Sequence, residues 1–384
     1  LLGSIEPGHS IAVFEDVLNR LRDRLHYLYS NKDHFWFDIR PNLRREMEGR
    51  KKNFSKEDVD EILKKRVNRI IGQNHCFSGI HVFTPSADVP DDYGIGPRLV
   101  ILTPSSTFNK DKDNLAIQSA TEILRNRGKQ PRQKQNRLIF IAPDDDCASR
   151  LKDQTRTYLA WNSILEDFQS DRLVYQSNQL ADVKRTVESS EQALIHILRE
   201  TYKWILAPIE ELGDGKPTMR WESVAISNVT QNLVQTIENK LYEEEWIVQS
   251  WSPIHLRNIL NDLYFKDGSG EISALRFYQD CCQYLYLPRL INDQVLKDAI
   301  SKGVETKDFF GYANAKEENK YLGFVFGRNA MINIDEFSIL INIDRALEYE
   351  KEVNSKTPNN GEQPNQPGEQ PNQPGEQPNQ PGEQ

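Results

Sequence analysis

The chain has 384 residues, with 48 Lys and Arg against 57 Asp and Glu and a formal net charge of −9. Hydrophobic residues make up 38% of it and the mean hydropathy is −0.67, enough apolar material for two or three cores. No run approaches the ~20 apolar residues that span a bilayer, which excludes a membrane partner. The opening LLGSIEPGHS has neither a basic nor an apolar leader segment, so a cytoplasmic location is expected.

In chain order, Val13, Phe14, Val17, Leu18, Leu21, Leu25 and Leu28 recur at spacings of three and four, the pattern of a helix with one buried stripe. HFWFDI, residues 34–39, predicts a short strand. Alternation there sends Phe35 and Phe37 to one face and Trp36 to the other, so at least one face belongs to a core. After Pro41 and Asn42, SKEDVDEILKKRVNRIIG predicts a helix capped by Ser55 and stopped by Gly72. Helix, aromatic strand and basic turn suggest a winged-helix-like module over residues 1–75.

Residues 76–209 change character. GIHVFTP, PRLVILTP and NRLIFIAP are apolar runs that each close on proline, and NLAIQSATEILRNRG predicts a helix ending at Gly128 between the last two. Continuous apolar strands around a helix predict a buried parallel βαβ unit. The long helix SRLKDQTRTYLAWNSILEDF and further helical pattern over 176–206, as far as Pro208, would cover it. A loop, EELGDGKPTMR, opens a third region, 210–350. Its helical stretches precede a hairpin, DFFGYANAKEENKYLGFVFG, and a strand, FSILINI, an order compatible with a second winged helix. Within residues 351–384, PNQPGEQ repeats three times; with no apolar residue from Pro358 on, this tail is expected to be a disordered, extended spacer. The fold class is α/β, or α+β taken overall.

Chemistry is sparse. Cysteines at 76, 147, 281 and 282 have no CxxC spacing and the seven histidines form no HxxxH pair, so neither a disulfide framework nor a metal site is expected. Asp144, Asp145 and Asp146 follow an apolar strand, where carboxylates can hold Mg²⁺ for phosphoryl transfer. No GxxxxGK[ST] loop accompanies them, and DDYGIGPRL offers no lysine or hydroxyl in register. The acids are assigned to the start of the next helix, where they favour the dipole. No catalytic residue is expected, and a hydrolase using these acids ranks last.

Charge gives the stronger signal. Residues 1–150 carry 25 basic against 21 acidic side chains, whereas the remainder carries 23 against 36. Two runs stand out: Arg40, Arg44, Arg45, Arg50, Lys51 and Lys52, and then Arg125, Arg127, Lys129, Arg132, Lys134 and Arg137, the latter without an acid. Such runs neutralise phosphates, making DNA or RNA the candidate partner. The bland alternative is a solvated loop, or arginines paired with acids elsewhere.

The ordered series YLYSNKDHFWFDIRPNLRRE, PRLVILTP, LRNRGKQPRQKQNRLIFIAPDDD, TRTYLAWNSILED, YLYLPRL and VLKDAISKG resembles the C-terminal portion of a family of large prokaryotic AAA+-type ATPases of unknown function. That family is often found in phage-defence gene neighbourhoods, and the similarity covers most of residues 10–330. The resemblance implies that ATP and Mg²⁺ bind in a P-loop core N-terminal to this region. It also implies other subunits of a defence complex as partners, and supplies no catalytic residue here. The expected function is therefore a non-catalytic, nucleic-acid-contacting region beside a motor. The alternative is a protein–protein assembly scaffold that docks through its acidic C-terminal half.

Overall fold

Strands that are apolar on both sides need a covering layer on each face, and that demand organises the first two thirds of the molecule. The computed structural model describes residues 10–25, 28–31, 34–37, 43–72, 74–110, 114–170, 177–212, 217–227, 232–266, 268 and 270–356; the repeat tail and Arg40 lie outside them. At the N-terminus α1 (Ile11–Arg24) leads into a hairpin, β1 (Leu28–Asn31) and β2 (His34–Phe37), followed by α2 (Leu43–Lys51) and α3 (Lys56–Ile71). Ser55 and Asp58 form a reciprocal capping box at the start of α3, and Gly72 ends it at φ +74°. Its Val59, Leu63, Val67 and Ile71, four residues apart, are all buried, each worth roughly 1.5–3 kcal/mol of burial.

Several expectations for residues 1–75 change. The basic stretch after the aromatic strand is the helix α2, which packs along a longer helix of the central region. The apolar faces of α2 and α3 join the core of the central sheet, so this stretch does not close on itself as a separate winged helix. The hairpin also precedes the last two helices instead of following them. Most of the predicted stripe of α1 is not buried: Val13, Val17, Leu21 and Leu25 are exposed, Val13 at 59%, as is Ile11 outside the stripe, while Phe14 and Leu18 are half-buried and only Leu28, in β1, is buried. Of the three aromatics only Phe35 is half-buried, while Phe37 is 73% exposed.

The central region comprises β3 (Gly79–Val82), β4 (Arg98–Ile101), α4 (Leu115–Arg125), a small hairpin of β5 (Asn126–Arg127) and β6 (Gln130–Pro131), then β7 (Leu138–Ala142), α5 (Asp145–Gln169), α6 (Ser177–Thr201), β8 (Trp204–Leu212) and β9 (Pro217–Ala225). The sheet order is β3-β4-β7-β8-β9, with the first three strands parallel and the last two antiparallel. The expected βαβ unit is β4–α4–β7. Along β4 and β7, Leu99, Ile101, Ile139 and Ile141 face the core shared with α2, α3, α5 and α6. Val100, Leu138, Phe140 and Ala142 face α4 on the other side. Here the sequence misled in two places. Trp204–Leu212, assigned to a helix ending at Pro208, is a strand, and the stretch assigned to a loop contributes its hairpin partner β9. Pro208 is tolerated because its missing N–H falls on the side away from β9.

Beyond β9, α7 (Leu233–Glu243) still packs in the central core. A second core begins at Trp251, so the packing divides near 248–250, later than the expected boundary at 210. It holds α8 (Pro253–Ile259), continued by a π-helical turn over Leu260–Tyr264, then β10 (Glu271–Ser273), α9 (Ala274–Gln283), α10 (Asp293–Glu305), β11 (Phe310–Ala313), the hairpin β12 (Ala315–Glu317) and β13 (Lys320–Leu322), β14 (Ile339–Asn342) and α11 (Ile343–Lys356). β10, β14 and β11 form an antiparallel sheet in that order. Residues 272–300, expected among the helical stretches of this region, are thus a strand and two helices, and α11 runs six residues into the expected tail.

Gly303 in α10 is buried against Phe310, and a Cβ there would collide with the Phe310 ring. Gly303→Ala is therefore expected to destabilise the protein by roughly 1–3 kcal/mol, although alanine favours a helix by about 1 kcal/mol. Urea unfolding of the variant beside the parent checks the sign.

Candidate interaction surfaces

The six basic residues of 125–137 divide into two groups. The parallel step from β3 to β4 normally needs a helix, which satisfies its own main chain. Here residues 83–97 make the crossing with only a 3₁₀ turn at Ser86–Asp88, so their carbonyls need donors from elsewhere. Arg132, 3% exposed, donates to the carbonyls of Ser86, Val89, Pro90 and Ile123 at 2.7–3.3 Å. Arg137, 4% exposed, donates to the carbonyls of Asp92, Gly94 and Gly96 and to Ser78 Oγ. Arg98 completes the clamp with a two-pronged bond to Asp92 at 2.8 and 2.9 Å. Burial lowers the pKa of both Arg132 and Arg137. Burial would raise the Asp92 carboxyl, but the hydrogen bonds from Arg98 and the Gly94 N–H together with the charges of Arg98 and Arg137 outweigh it and hold that carboxyl low.

The other four residues face outward. Arg125, Arg127 and Lys129 are exposed on and beside the β5–β6 hairpin, and half-buried Lys134 sits 4.4 Å from the Tyr93 ring. The helix expected to stop at Gly128 ends at Arg125; Gly128 instead turns the hairpin at φ +61°.

In the earlier run, Arg50 pairs with Glu46 at 2.8 Å and Asp167 at 2.6 Å, and Lys51 pairs with Asp153 at 2.8 Å. Lys52 and Arg44 are exposed and Arg45 is half-buried. Helix α2 covers the face of the sheet opposite to α4. The two basic runs therefore lie on opposite sides of the sheet and do not form one groove.

At the C-terminal end of β7, Asp144 is 7% exposed and occupies the N-cap position of α5, with Asp145 and Asp146 in its first turn. Its Oδ1 accepts from Trp204 Nε1 at 2.8 Å and pairs with Lys203 Nζ at 3.0 Å. Asp145 and Asp146 point to solvent. Among the described residues no group of three or more His, Cys, Asp or Glu side chains is arranged to hold a metal ion.

A further concavity lies elsewhere, at the junction of the two cores. Arg289, 7% exposed, donates from Nε to Asn136 O at 2.6 Å, from Nη1 to Trp246 O at 2.9 Å and from Nη2 to Pro208 O at 3.2 Å. Asn136 returns the contact, donating to the carbonyls of Cys281 and Leu287 at 2.9 Å each. Val248 and Leu290 bridge in parallel beside them. Gly96, at φ +79°, lets the clamped loop approach, since a Cβ there would lie 2.6 Å from the Ile291 carbonyl oxygen. Burial lowers the Arg289 pKa to about 10, which leaves it charged at neutral pH.

Over this clasp opens a cleft of about 920 Å³, walled by Tyr242, Trp246, Trp251 and Tyr286, with Glu210 and Glu245 as its carboxylates. None of these residues was singled out from the sequence. One signal was available: Arg289 is a lone charge inside the apolar run LYLPRLI, and an isolated charge among apolar neighbours marks a buried, hydrogen-bonded group. Compared with protein-family models, with curated proteins and with solved structures, the chain matches none.

Burial would raise the Asp144 carboxyl, but the hydrogen bonds from Trp204 and Lys203 outweigh it and hold the pKa below the usual range. A depressed carboxyl stabilises the fold above its unfolded value, about 4, and loses that contribution as pH falls through the folded value. Asp144→Asn is therefore expected to unfold at lower urea than the parent at pH 7. The gap should close as the pH is taken below about 4, which urea titrations across that range measure.

Proposed function

We propose that the chain is a non-catalytic docking and assembly region of a larger AAA+-type machine, with contacts made chiefly to protein. The observation that carries this reading is the exposed apolar face of α1, formed by Ile11, Val13, Val17 and Leu21, together with Phe37 on the neighbouring hairpin. Exposed apolar surface of this kind marks a protein contact. The distribution of charge supports it, because Arg50, Lys51, Arg132 and Arg137 already serve partners within the chain. The motor and its ATP come into this reading only through the resemblance of the ordered segments.

The C-terminal core fits the same reading. Its order of helix, strand and two helices, then β11, the β12–β13 hairpin and β14, with sheet order β10-β14-β11, supports a winged-helix-like reading in which α10 is the reading helix. Its exposed residues, Gln294, Asp298, Lys302 and Glu305, carry more negative than positive charge. A surface of this sign repels phosphates and suits a protein partner.

A second reading, contact with DNA or RNA, rests on Arg125, Arg127 and Lys129, three exposed cations at one hairpin. Three phosphate contacts give a log–log salt slope of only about −3. Titration of labelled mixed-sequence duplex and single-stranded DNA is expected to show a Kd weaker than ~1 µM near 0.15 M salt. Binding tighter than that, abolished by replacing Arg125, Arg127 and Lys129 with alanine, would overturn the docking reading in favour of nucleic acid.

A further inference from the structure

We propose that the cleft at the junction is a binding site for an extended, cationic peptide segment of a partner protein, which adds to the open edge of β8. The inference rests on the docking reading only in taking the partner to be a protein; the surface is distinct from α1.

Three observations converge. The first is the strand edge. Of the nine residues of β8, Trp204, Ile205 and Leu206 pair with β7, whereas all nine pair with β9. The ladder with β7 stops at Leu206, although the register sets Ile139 and Leu138 of β7 opposite Ala207 and Pro208; past Pro208 no strand among the described residues pairs with that edge of β8. Pro208 turns its carbonyl to that edge, where Arg289 takes it. Glu210, two residues further on, turns its main-chain N–H and C=O to the same side by the alternation of an antiparallel ladder. Pro208 and Glu210 line the cleft, so the open edge is one of its walls. Main-chain pairing along such an edge, with pockets for alternate side chains, is how an extended peptide is held.

The second observation is the chemistry of the walls. Half-buried Tyr242 and Tyr286 offer ring surface to the side chains a bound strand would point into the cleft, and Trp246 and Trp251, largely buried, also line it. The cleft is large enough, at about 920 Å³, to take several side chains.

The third is charge. Glu210 and Glu245 make no ion pair among the described residues. No lysine lines the cleft, and its one arginine, Arg289, directs its guanidinium to three main-chain carbonyls. Glu245 is also held at φ +56°, a conformation that costs a non-glycine residue energy and is kept where surroundings fix it. The unmatched charge of the cleft is negative. Nucleic-acid backbones and acidic peptides are repelled, and Lys or Arg alternating with apolar residues along an extended chain is matched.

An array of short random peptides probed with the full chain tests this, beside the Glu210→Gln/Glu245→Gln variant, whose two changes break no ion pair among the described residues. The bound set is expected to be enriched in Lys and Arg alternating with aliphatic or aromatic residues, and in the variant the selected peptides should bind about tenfold more weakly. Hydrogen exchange with a selected peptide should slow the Glu210 amide by about tenfold or more, and N-methylation of the peptide backbone should abolish that protection. No cationic enrichment, enrichment unchanged in the variant, or an unprotected Glu210 amide would each overturn the site, and the docking reading would then rest on α1 alone. DNA binding that survives physiological salt would overturn the docking reading while leaving the peptide result to be judged by itself.

Discussion

Arg289 lies between the two hydrophobic cores and joins three segments far apart in sequence, the turn before β7, the strand β8 and the end of α7, through their carbonyls. Burying a guanidinium without a carboxylate costs several kcal/mol. Three charge-assisted hydrogen bonds, each about 1.5–3 kcal/mol, offset a cost of that size. The gain is geometric: carbonyls from three segments are held at one point, and only one mutual placement of the cores satisfies them all. Asn136 locks the arrangement from the other side by donating to two carbonyls of the C-terminal core. The cleft above the clasp exists because the cores meet there and nowhere close fully over it.

The same device recurs one layer away. A crossover without a helix leaves carbonyls that must be paired, and Arg132 and Arg137 pair them. Buried arginines thus do structural work that a charge count assigns to a ligand. This is why a basic run of six residues yields a much smaller exposed patch, and why the docking reading is preferred to a nucleic-acid groove. Two other surfaces remain exposed, an apolar helix face at the N-terminus and an aromatic, acidic cleft at the junction.

Much of the architecture was legible. The apolar runs of β4 and β7 announce burial on both faces because each residue in them is apolar whichever way it points. Ser55 and Gly72 mark the ends of α3 because capping is local chemistry. What depended on distant contacts was not legible. Trp204–Leu212 carries a proline and two glutamates, which disguise a strand whose open edge tolerates them. The stripe of α1 has the spacing of a buried face, yet burial needs a partner element, and spacing says nothing about where one is found. Arg132 and Arg125 are alike in sequence, and only the path of residues 83–97 distinguishes a clamp from an exposed charge.

If the Arg289 clasp is what makes the two cores one body, their unfolding must be coupled through it. Differential scanning calorimetry of the parent and of Arg289→Met tests this most directly. The expected result is one cooperative transition in the parent that splits into two in the variant, as the C-terminal core uncouples from the sheet. Two independent transitions in the parent, or a single unshifted transition in Arg289→Met, would contradict the account.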